Sequence, residues 1–341
     1  MIEFKRKLPT FQAIKDMYPI SAEMAERKQN TDSAVKSVLA GEDDRLLLVI
    51  GPCSADREDA VLEYASRLRV LQEEVGDRLL LVPRVYSNQP RTTGEGYKGM
   101  LHQPDPNARP DMLKGLISIR KMHMKVLEQT GFSTADEMLY PENHFYLSDV
   151  LSYVTVGARS VENQQHRLVS SGLDVAVGMK NPTGGDLNVM LNSISAASTH
   201  HTFVYNGWEV HTGGNPYVHA ILRGGTDADG NYVPNYGYDC LAGLSEMLAE
   251  EKLTAPAVMI DTNHANSGKH WEKQSEIAAD VLGSAERNAD IKRIVKGFMI
   301  ESYLVDGCQR PGGDVFGQSI TDGCLGWEKT KELVYRIAEK C

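Results

Sequence analysis

The chain has 341 residues, of which 41% are apolar and 24% are charged, as is ordinary for a globular protein. Its formal net charge of −10 argues against a general binder of nucleic acid or of anionic membranes. No apolar run approaches the roughly 20 residues of a membrane helix, and the first residues lack the apolar core of a secretory signal. The five cysteines form a sparse, odd-numbered set without a disulfide framework, so we expect a reducing, cytoplasmic location.

Residues 1–40 precede the first apolar run and predict an N-terminal arm with a helix that ends near Gly41. We expect this segment to be an oligomer or regulatory extension and residues 41–341 to be the main domain. Nine short apolar runs follow, at 46–51, 79–86, 135–139, 153–158, 174–179, 202–206, 218–224, 257–261 and 297–302. Helical patterns lie between them, for example at 58–75, 112–128, 186–197, 236–252, 273–285 and 327–339.

Near-continuous apolar runs that alternate with amphipathic helices predict a parallel sheet covered by helices. Eight such units close into a (β/α)8 TIM barrel. The run at 202–206 is surplus, and because no helix of useful length follows it, we assign it and the segment after Trp208 to an inserted β-hairpin. Residues 87–115 are rich in Pro and Gly, and a connection of this length in a compact domain is usually functional or mobile.

Residues capable of chemistry lie at or near the ends of almost all the barrel runs. They are Cys53, Arg84, Glu137, Arg159, Lys180, Arg223, His264 and Glu301. In a parallel barrel these positions converge on the C-terminal mouth, where barrel enzymes carry their active sites. The sequence therefore predicts one reactive pocket at that mouth.

Four cations, Arg84, Arg159, Lys180 and Arg223, are predicted to face this pocket, with Arg91 in the long loop. Several fixed positive charges in an acidic protein need an anionic ligand, and guanidinium groups match phosphate and carboxylate oxygens. A compact ligand with both groups would fit. Lys180 could instead be a Schiff-base lysine, as in barrel aldolases.

A second set of side chains offers metal ligands: Cys53, His264, Glu301 and Asp322. A thiolate, an imidazole and two carboxylates suit a divalent transition metal such as Mn, Fe, Co or Zn. These residues are far apart in the sequence and form no local motif, so a polar turn around His264 is the alternative interpretation.

Several motifs resemble type I DAHP synthases, the 3-deoxy-7-phosphoheptulonate synthases that begin the shikimate pathway, and they occur in the same order over residues 35–335. They include GPCS (51–54), RVY (84–86), PRTT (90–93), GAR (157–159), ILRGG (221–225), HANS (264–267) and SITDGCLGW (319–327). The resemblance implies a (β/α)8 barrel, a divalent metal, a homodimer or homotetramer, and phosphoenolpyruvate and erythrose 4-phosphate as substrates.

Carried over by position, the family's metal ligands match Cys53, His264, Glu301 and Asp322. Its phosphoenolpyruvate contacts match Arg84, Arg159, Lys180 and Arg223, with backbone help from Gly157 and Ala158, and its sugar-phosphate contacts match Pro90, Arg91 and Thr92. Glu137 matches an acidic position near the attacking face, although its surroundings, DEMLY, depart from the usual GEFLD.

One departure concerns a residue that the family uses in catalysis. Where its pattern is EKPRT or NKPRT, this chain has SNQPRT, so Gln89 replaces a lysine. A glutamine can hydrogen-bond a carbonyl oxygen but cannot transfer a proton at neutral pH. Gln89 leaves three alternatives open: a DAHP synthase that tolerates it, a paralogue that uses another aldehyde, or a catalytically weak regulatory homologue.

Overall fold

The computed structural model describes residues 1–251 and 253–341 and is built around one parallel β-sheet. In chain order the strands are β1 (Leu46–Gly51), β2 (Leu79–Pro83), β3 (Thr134–Glu137), β4 (Leu151–Val156), β5 (Ala176–Lys180), β6 (His201–Tyr205), β7 (Trp208–Thr212), β8 (Val218–Leu222), β9 (Gly225–Thr226), β10 (Tyr232–Val233), β11 (Val258–Asp261), β12 (Val295–Glu301), β13 (Val305–Cys308) and β14 (Gln318–Ser319). Eight of these strands pair in the order β2-β1-β12-β11-β8-β5-β4-β3.

The two ends of this order, β2 and β3, meet at a junction that we call the seam, formed by residues 84–87 and 135–137. A parallel backbone bridge joins Arg84 to Ala135, and the Val85 amide donates to the Ala135 carbonyl at 2.9 Å. The sheet thus closes into a (β/α)8 barrel, which confirms the predicted fold class.

The barrel strands are apolar along their whole length because both of their faces are buried. In β1, Leu48 and Ile50 pack among the surrounding helices, whereas Leu47 and Val49 belong to the cluster that fills the barrel. Burial on both sides is the reason that the strands read as continuous runs instead of alternating ones.

Ten α-helices are described outside the barrel. They are α1 (Phe11–Met17), α2 (Ala22–Ala40), α3 (Glu58–Val75), α4 (Met112–Thr130), α5 (Gln164–Ser170), α6 (Leu187–Ala197), α7 (Tyr238–Glu250), α8 (Gln274–Arg287), α9 (Ala289–Ile294) and α10 (Trp327–Glu339). The helical patterns are confirmed to within a few residues at each end. The last residue of the predicted helix 236–252 lies outside the described residues.

The surplus apolar run forms the inserted hairpin, as predicted. Strands β6 and β7 pair antiparallel between α6 and β8. Asn206 and Gly207 form the turn with φ values of 50° and 79°, and two positive φ angles are the signature of the tight turn that matches strand twist.

The N-terminal segment contains two helices, α1 and α2, where the sequence predicted an arm and one helix. Helix α2 does end at Gly41, whose φ of 76° gives the left-handed cap that glycine favours. Val35, Val38 and Leu39 of α2 join the apolar cluster of the barrel interior. In the part of the chain that the structure describes, no helix has both the length and the apolar character needed to cross a bilayer.

Candidate active site

The carboxyl ends of the barrel strands and the loops that follow them surround an open cavity, whose empty space is about 750 Å³ when the solvent at its mouth is included. Its lining residues are Cys53, Arg84, Tyr86, Gln89, Pro90, Arg91, Glu137, Gly157, Ala158, Arg159, Lys180, Thr183, Arg223, His264, Lys269, Glu301 and Asp322. All the site residues predicted from the sequence are in this set except Thr92. Thr92 lies beside the cavity, where its hydroxyl accepts a hydrogen bond from Arg159 Nε at 2.7 Å.

Three of the four candidate metal ligands form a tight group. One donor atom each from Cys53, Glu301 and Asp322 lies within 4.8 Å of the other two. Cys53 follows β1 and Glu301 ends the neighbouring strand β12, so the pairing of these strands brings the two together. Asp322 comes from the loop after β14 and is partly exposed.

The fourth candidate, His264, lies at the edge of this group. Its Nε2 is 4.0 Å from Glu301 Oε1, and its Nδ1 is 2.9 Å from Asp261 Oδ2. Its φ of 50° is unusual for a residue other than glycine and turns the chain directly after β11. The short distance from Nδ1 to Asp261 Oδ2 places a carboxylate behind the ring, which is the usual arrangement for a histidine that binds a metal.

The chemistry of this group fits a divalent transition metal. Burial, and then the charges of Glu301 and Asp322, raise the pKa of the Cys53 thiol well above its ordinary value. A cation bound among these groups would relieve their repulsion and favour the thiolate. Sulfur, imidazole and carboxylate donors together suit Mn, Fe, Co or Zn more than Mg or Ca.

Arg84 lies against the metal-ligand group at the seam. Its side chain is 1% exposed, donates to Glu301 Oε1 at 3.1 Å and stacks 4.1 Å from the centre of the Tyr86 ring. Burial acts to lower the pKa of Arg84, but Tyr86 and Glu301 raise it overall, so the guanidinium is charged. Two of its nitrogens, Nε and Nη1, have no hydrogen-bond partner among the described residues, and an anionic ligand could supply one.

Lys180 ends β5 and points into the same cavity. Its Nζ donates to Asp261 Oδ2 at 2.9 Å, the oxygen that also faces His264. Burial acts to raise the pKa of Asp261, but His264 and Lys180 hold it well below its ordinary value. A Schiff base forms from a neutral amine, whereas pairing with a carboxylate stabilises the positively charged form of a lysine. The contact with Asp261 therefore favours anion binding by Lys180 over the Schiff-base alternative.

Two further arginines complete the positive wall. Arg223 is buried, and burial together with the charge of Arg159 lowers its pKa, although Asp261 acts in the opposite direction. Arg159 is exposed and is held by Thr92. Arg91 also lines the cavity, and its Nε donates to the Tyr97 carbonyl at 2.7 Å within the long loop.

Gln89, the departure from the family pattern, has a defined contact. Its Nε2 donates to the backbone carbonyl of Cys53 at 2.8 Å, and its own amide donates to the Lys98 carbonyl at 3.1 Å. The side chain therefore joins the long loop to the turn that carries Cys53. In this position it is a neutral hydrogen-bonding group and not a source of charge.

Glu137 ends β3 and is 9% exposed. Burial raises the pKa of this carboxyl group, while Lys180 and Arg84 act to lower it. Its Oε1 has no partner among the described residues. The carboxyl group rests on Gly157, where a Cβ atom would lie only 2.3 Å from Oε1.

The sequence reasoning missed four residues of the site: Tyr86, Thr183, Asp261 and Lys269. Asp261 ends the strand sequence VMID, so the strand-end pattern that selected the others could have found it. Lys269 lies 3.6 Å from Asp322 Oδ1 and has a φ of 63°, a conformation that no local pattern indicates.

The chain is similar to known proteins over almost its whole length. The model of the family described as "DAHP synthetase I family" matches residues 18–335. The Phe-sensitive phospho-2-dehydro-3-deoxyheptonate aldolase of Escherichia coli K12 is 39% identical over 344 residues, covering 98% of this chain and 95% of its own length. The Tyr-sensitive enzyme of the same strain is 36% identical and covers 97% and 92%.

A solved structure shares the whole architecture. The phospho-2-dehydro-3-deoxyheptonate aldolase of Francisella tularensis SCHU S4 superposes with a TM-score of 0.92 and 30% identity, covering 100% of this chain and 98% of that one. The likeness therefore extends over the barrel, the N-terminal helices and the hairpin together.

Proposed function

This chain belongs to the DAHP synthetase I family, and from that membership we propose that it condenses phosphoenolpyruvate with erythrose 4-phosphate and water to give DAHP and phosphate. This is the first step of the shikimate pathway. The observation that carries the proposal is the meeting of a thiol–imidazole–carboxylate group with four cations in one cavity at the barrel mouth.

The cations would bind phosphoenolpyruvate. Lys180, Arg223 and Arg159 hold its phosphate, and Arg84, whose buried nitrogens Nε and Nη1 lack partners among the described residues, holds it close to the aldehyde. The backbone at Gly157 and Ala158 lines the same side. Pro90, Arg91 and Thr92 would bind the phosphate of the aldose on the long loop.

The metal would be held by Cys53, His264, Glu301 and Asp322. Members of this family depend in general on a divalent metal, which when held by these residues would supply Lewis acidity toward the aldehyde oxygen. Gln89 can donate a hydrogen bond near that oxygen, since its amide lies beside Cys53. Glu137 faces the same cavity as the buried acid–base group.

In the reaction, C3 of phosphoenolpyruvate attacks the aldehyde carbon, and positive charge develops at C2. Water adds at C2 and loses a proton, and the aldehyde oxygen gains one. The C2–O bond to the phosphate group then breaks, the C2 hydroxyl passes its proton to the departing phosphate and becomes the ketone oxygen, and inorganic phosphate is released. Arg159, Lys180 and Arg223 stabilise the leaving phosphate, and orientation of both substrates in one cavity supplies much of the rate.

Gln89 supports a second candidate, a paralogue that condenses phosphoenolpyruvate with a different aldehyde or aldose phosphate. A neutral amide bonded to the Cys53 carbonyl gives this wall of the cavity a different polarity from an ammonium. A catalytically weak regulatory homologue is disfavoured, because such a protein has no need for a tight group of three candidate metal ligands with a histidine at its edge.

Phosphate release by the metal-loaded protein tests these candidates. We expect turnover with phosphoenolpyruvate and erythrose 4-phosphate; turnover with another aldose alone would support the paralogue, and none with any aldehyde would contradict both. Gln89→Lys should be assayed beside Gln103→Lys, which adds the same charge to the same loop outside the cavity lining. A gain only in Gln89→Lys would identify Gln89 as a defect, and a loss would indicate different chemistry.

We also propose a homodimer or homotetramer in which residues 1–40 form part of the contact. Met1, Ile2 and Phe4 in the arm and Val204 and Trp208 in the hairpin are large, exposed apolar side chains. Light scattering should give a multiple of the chain mass, and Trp208→Glu should reduce it.

All five cysteines are free thiols, which supports a reducing, cytoplasmic location.

A further inference from the structure

Asp136 lies next to Glu137 on β3, and its buried carboxylate connects two parts of the candidate active site. Its Oδ1 accepts hydrogen bonds from the backbone amides of Ser87 at 2.8 Å and of Glu137 at 2.7 Å. Its Oδ2 accepts a hydrogen bond from the Ser87 hydroxyl. The residue is 3% exposed, so these bonds are shielded from water.

These bonds lie where the backbone pairing of the seam stops. Val85 still donates to a main-chain acceptor, the carbonyl of Ala135. Two residues later, the Ser87 amide donates to the Asp136 side chain. The carboxylate thus extends the junction between the two sides of the seam beyond its backbone bridge.

The segment from Ser87 to Gln89 is fixed at both of its ends. At one end, Ser87 is bonded to Asp136, and Asn88 Nδ2 donates to the Ser87 hydroxyl at 3.1 Å. At the other end, the Gln89 amide group reaches the Cys53 carbonyl at 2.8 Å. One carboxylate therefore fixes the backbone that carries Gln89 and, through the adjacent amide, the backbone that carries Glu137.

His123 of α4 closes the far side of this carboxylate. Its ring is fully buried, with Nε2 at 3.5 Å from Asp136 Oδ2 and Nδ1 at 2.7 Å from the Thr134 hydroxyl. Asp136 is thus surrounded by groups of β3, α4 and the long loop. It has little freedom to take another rotamer.

Both departures from the family pattern meet here. Asp136 stands where GEFLD has glycine, and Gln89 stands where the pattern has lysine. A glutamine acts through directional amide hydrogen bonds, whereas a lysine carries its charge on a long, flexible side chain. A glutamine at this position therefore depends more on a fixed backbone than a lysine would.

We propose that Asp136 is a positioning residue that orients Gln89 and Glu137 together, an inference that rests on the proposed function. It touches no substrate in this role and acts through the two pocket residues. Its loss should therefore lower kcat while the affinity for phosphoenolpyruvate, which the cations determine, stays the same.

The test compares Asp136→Ala, Asp136→Asn and Ser87→Ala in the full-length, metal-loaded protein, with Tyr153→Phe as the matched control. Tyr153→Phe removes an equally buried hydrogen bond, to His219 at 2.6 Å, that lies outside the cavity lining. We expect Asp136→Ala to lower kcat by about 10- to 100-fold with an unchanged Kd for phosphoenolpyruvate. Asp136→Asn keeps an acceptor for both amides and should retain most of the activity.

Hydrogen exchange gives a measurement that does not depend on turnover. The amides of Ser87 and Glu137 should exchange roughly tenfold faster in Asp136→Ala but not in Tyr153→Phe. Unchanged exchange, or faster exchange with kcat retained, overturns the inference. If Asp136→Ala does not fold, Ser87→Ala provides the test. The inference then requires that kcat falls while the Kd for phosphoenolpyruvate does not rise to match. A wild-type protein without turnover refutes the proposed function, while the exchange data still show whether Asp136 fixes the two segments.

Discussion

A methyl group at Gly157 is incompatible with the present position of the Glu137 carboxyl group. In Gly157→Ala, the added Cβ would lie 2.3 Å from Glu137 Oε1 and 2.9 Å from its Cδ. Both distances are shorter than real carbon contacts, so either Glu137 or the backbone at 157–158 must move. Glu137 is the freer of the two, because its Oε1 has no partner among the described residues.

The expected size of the effect follows from this geometry. Overpacking by one methyl group typically costs about 1–3 kcal/mol in the free energy of unfolding. Displacement of a catalytic carboxyl group by about 1 Å lowers kcat by roughly 10- to 100-fold. The KM for the aldose phosphate should change little, because Pro90, Arg91 and Thr92 lie on a different loop.

Two variants separate the contact from other causes. Gly184→Ala places a methyl group in a nearby loop where no atom of the described residues lies within 4 Å of it, and it should behave like the wild type. Gly157→Ala combined with Glu137→Ala removes the clash, so its midpoint of thermal unfolding should recover while kcat stays low. A Gly157→Ala protein with wild-type kcat and unfolding midpoint would refute the reasoning.

Three other changes probe the metal site, a buried acid and the anchor of the N-terminal helices. Glu301→Gln should weaken Co²⁺ binding, measured by titration of metal-free protein. The loss should exceed the roughly 10- to 100-fold that is typical of residues that only support a metal ligand, and the exposed Glu128→Gln should leave Co²⁺ binding unchanged. Burial raises the pKa of Asp56 to about 6, so its ionisation opposes folding as pH rises through 4 to 6. Asp56→Asn should therefore gain stability over the wild type, from a small difference at pH 4 to about 3 kcal/mol at pH 8 in denaturant unfolding, and a difference independent of pH would contradict this. Arg120, which is fully buried, donates to the carbonyls of Tyr18 and Tyr146 and to Asp149, so Arg120→Met should cost about 3–5 kcal/mol, against less than about 0.5 kcal/mol for the exposed Lys121→Met. Equal unfolding midpoints for Arg120→Met and Lys121→Met would contradict the role of Arg120 as an anchor.

The barrel could be predicted from the sequence because each strand is buried on both faces and therefore shows a continuous apolar run. The position of Cys53 and Glu301 in one cavity also followed, since parallel strands end at the same face. The short helix α5 and the division of the N-terminal segment into α1 and α2 were not predicted. Seven-residue helices such as α1 and α5 leave too few turns for a clear periodicity.

The contacts between strand ends could not be predicted. Asp261 joins Lys180 to His264 through a single oxygen, and this depends on side-chain directions in three different strands and loops. The bonds that Ser87 donates to Asp136 depend likewise on the register at which β2 meets β3. Such details have no signature in local spacing, and only closure of the barrel creates them.

Closure at the seam also affects where the folded barrel opens transiently. Partial unfolding begins where neighbouring segments share few backbone hydrogen bonds. Between β2 and β3 the two main chains pair at Arg84 and Ala135, and beyond that point the hydrogen bond goes from the Ser87 amide to the Asp136 side chain. Arg84 lies at that junction and Arg159 beyond it on the β3–β4 side, so a doubly anionic ligand held by both would bind only the closed cylinder. By mass action, saturation of the pocket should then slow amide exchange around the whole ring of strands and not just at the residues it touches.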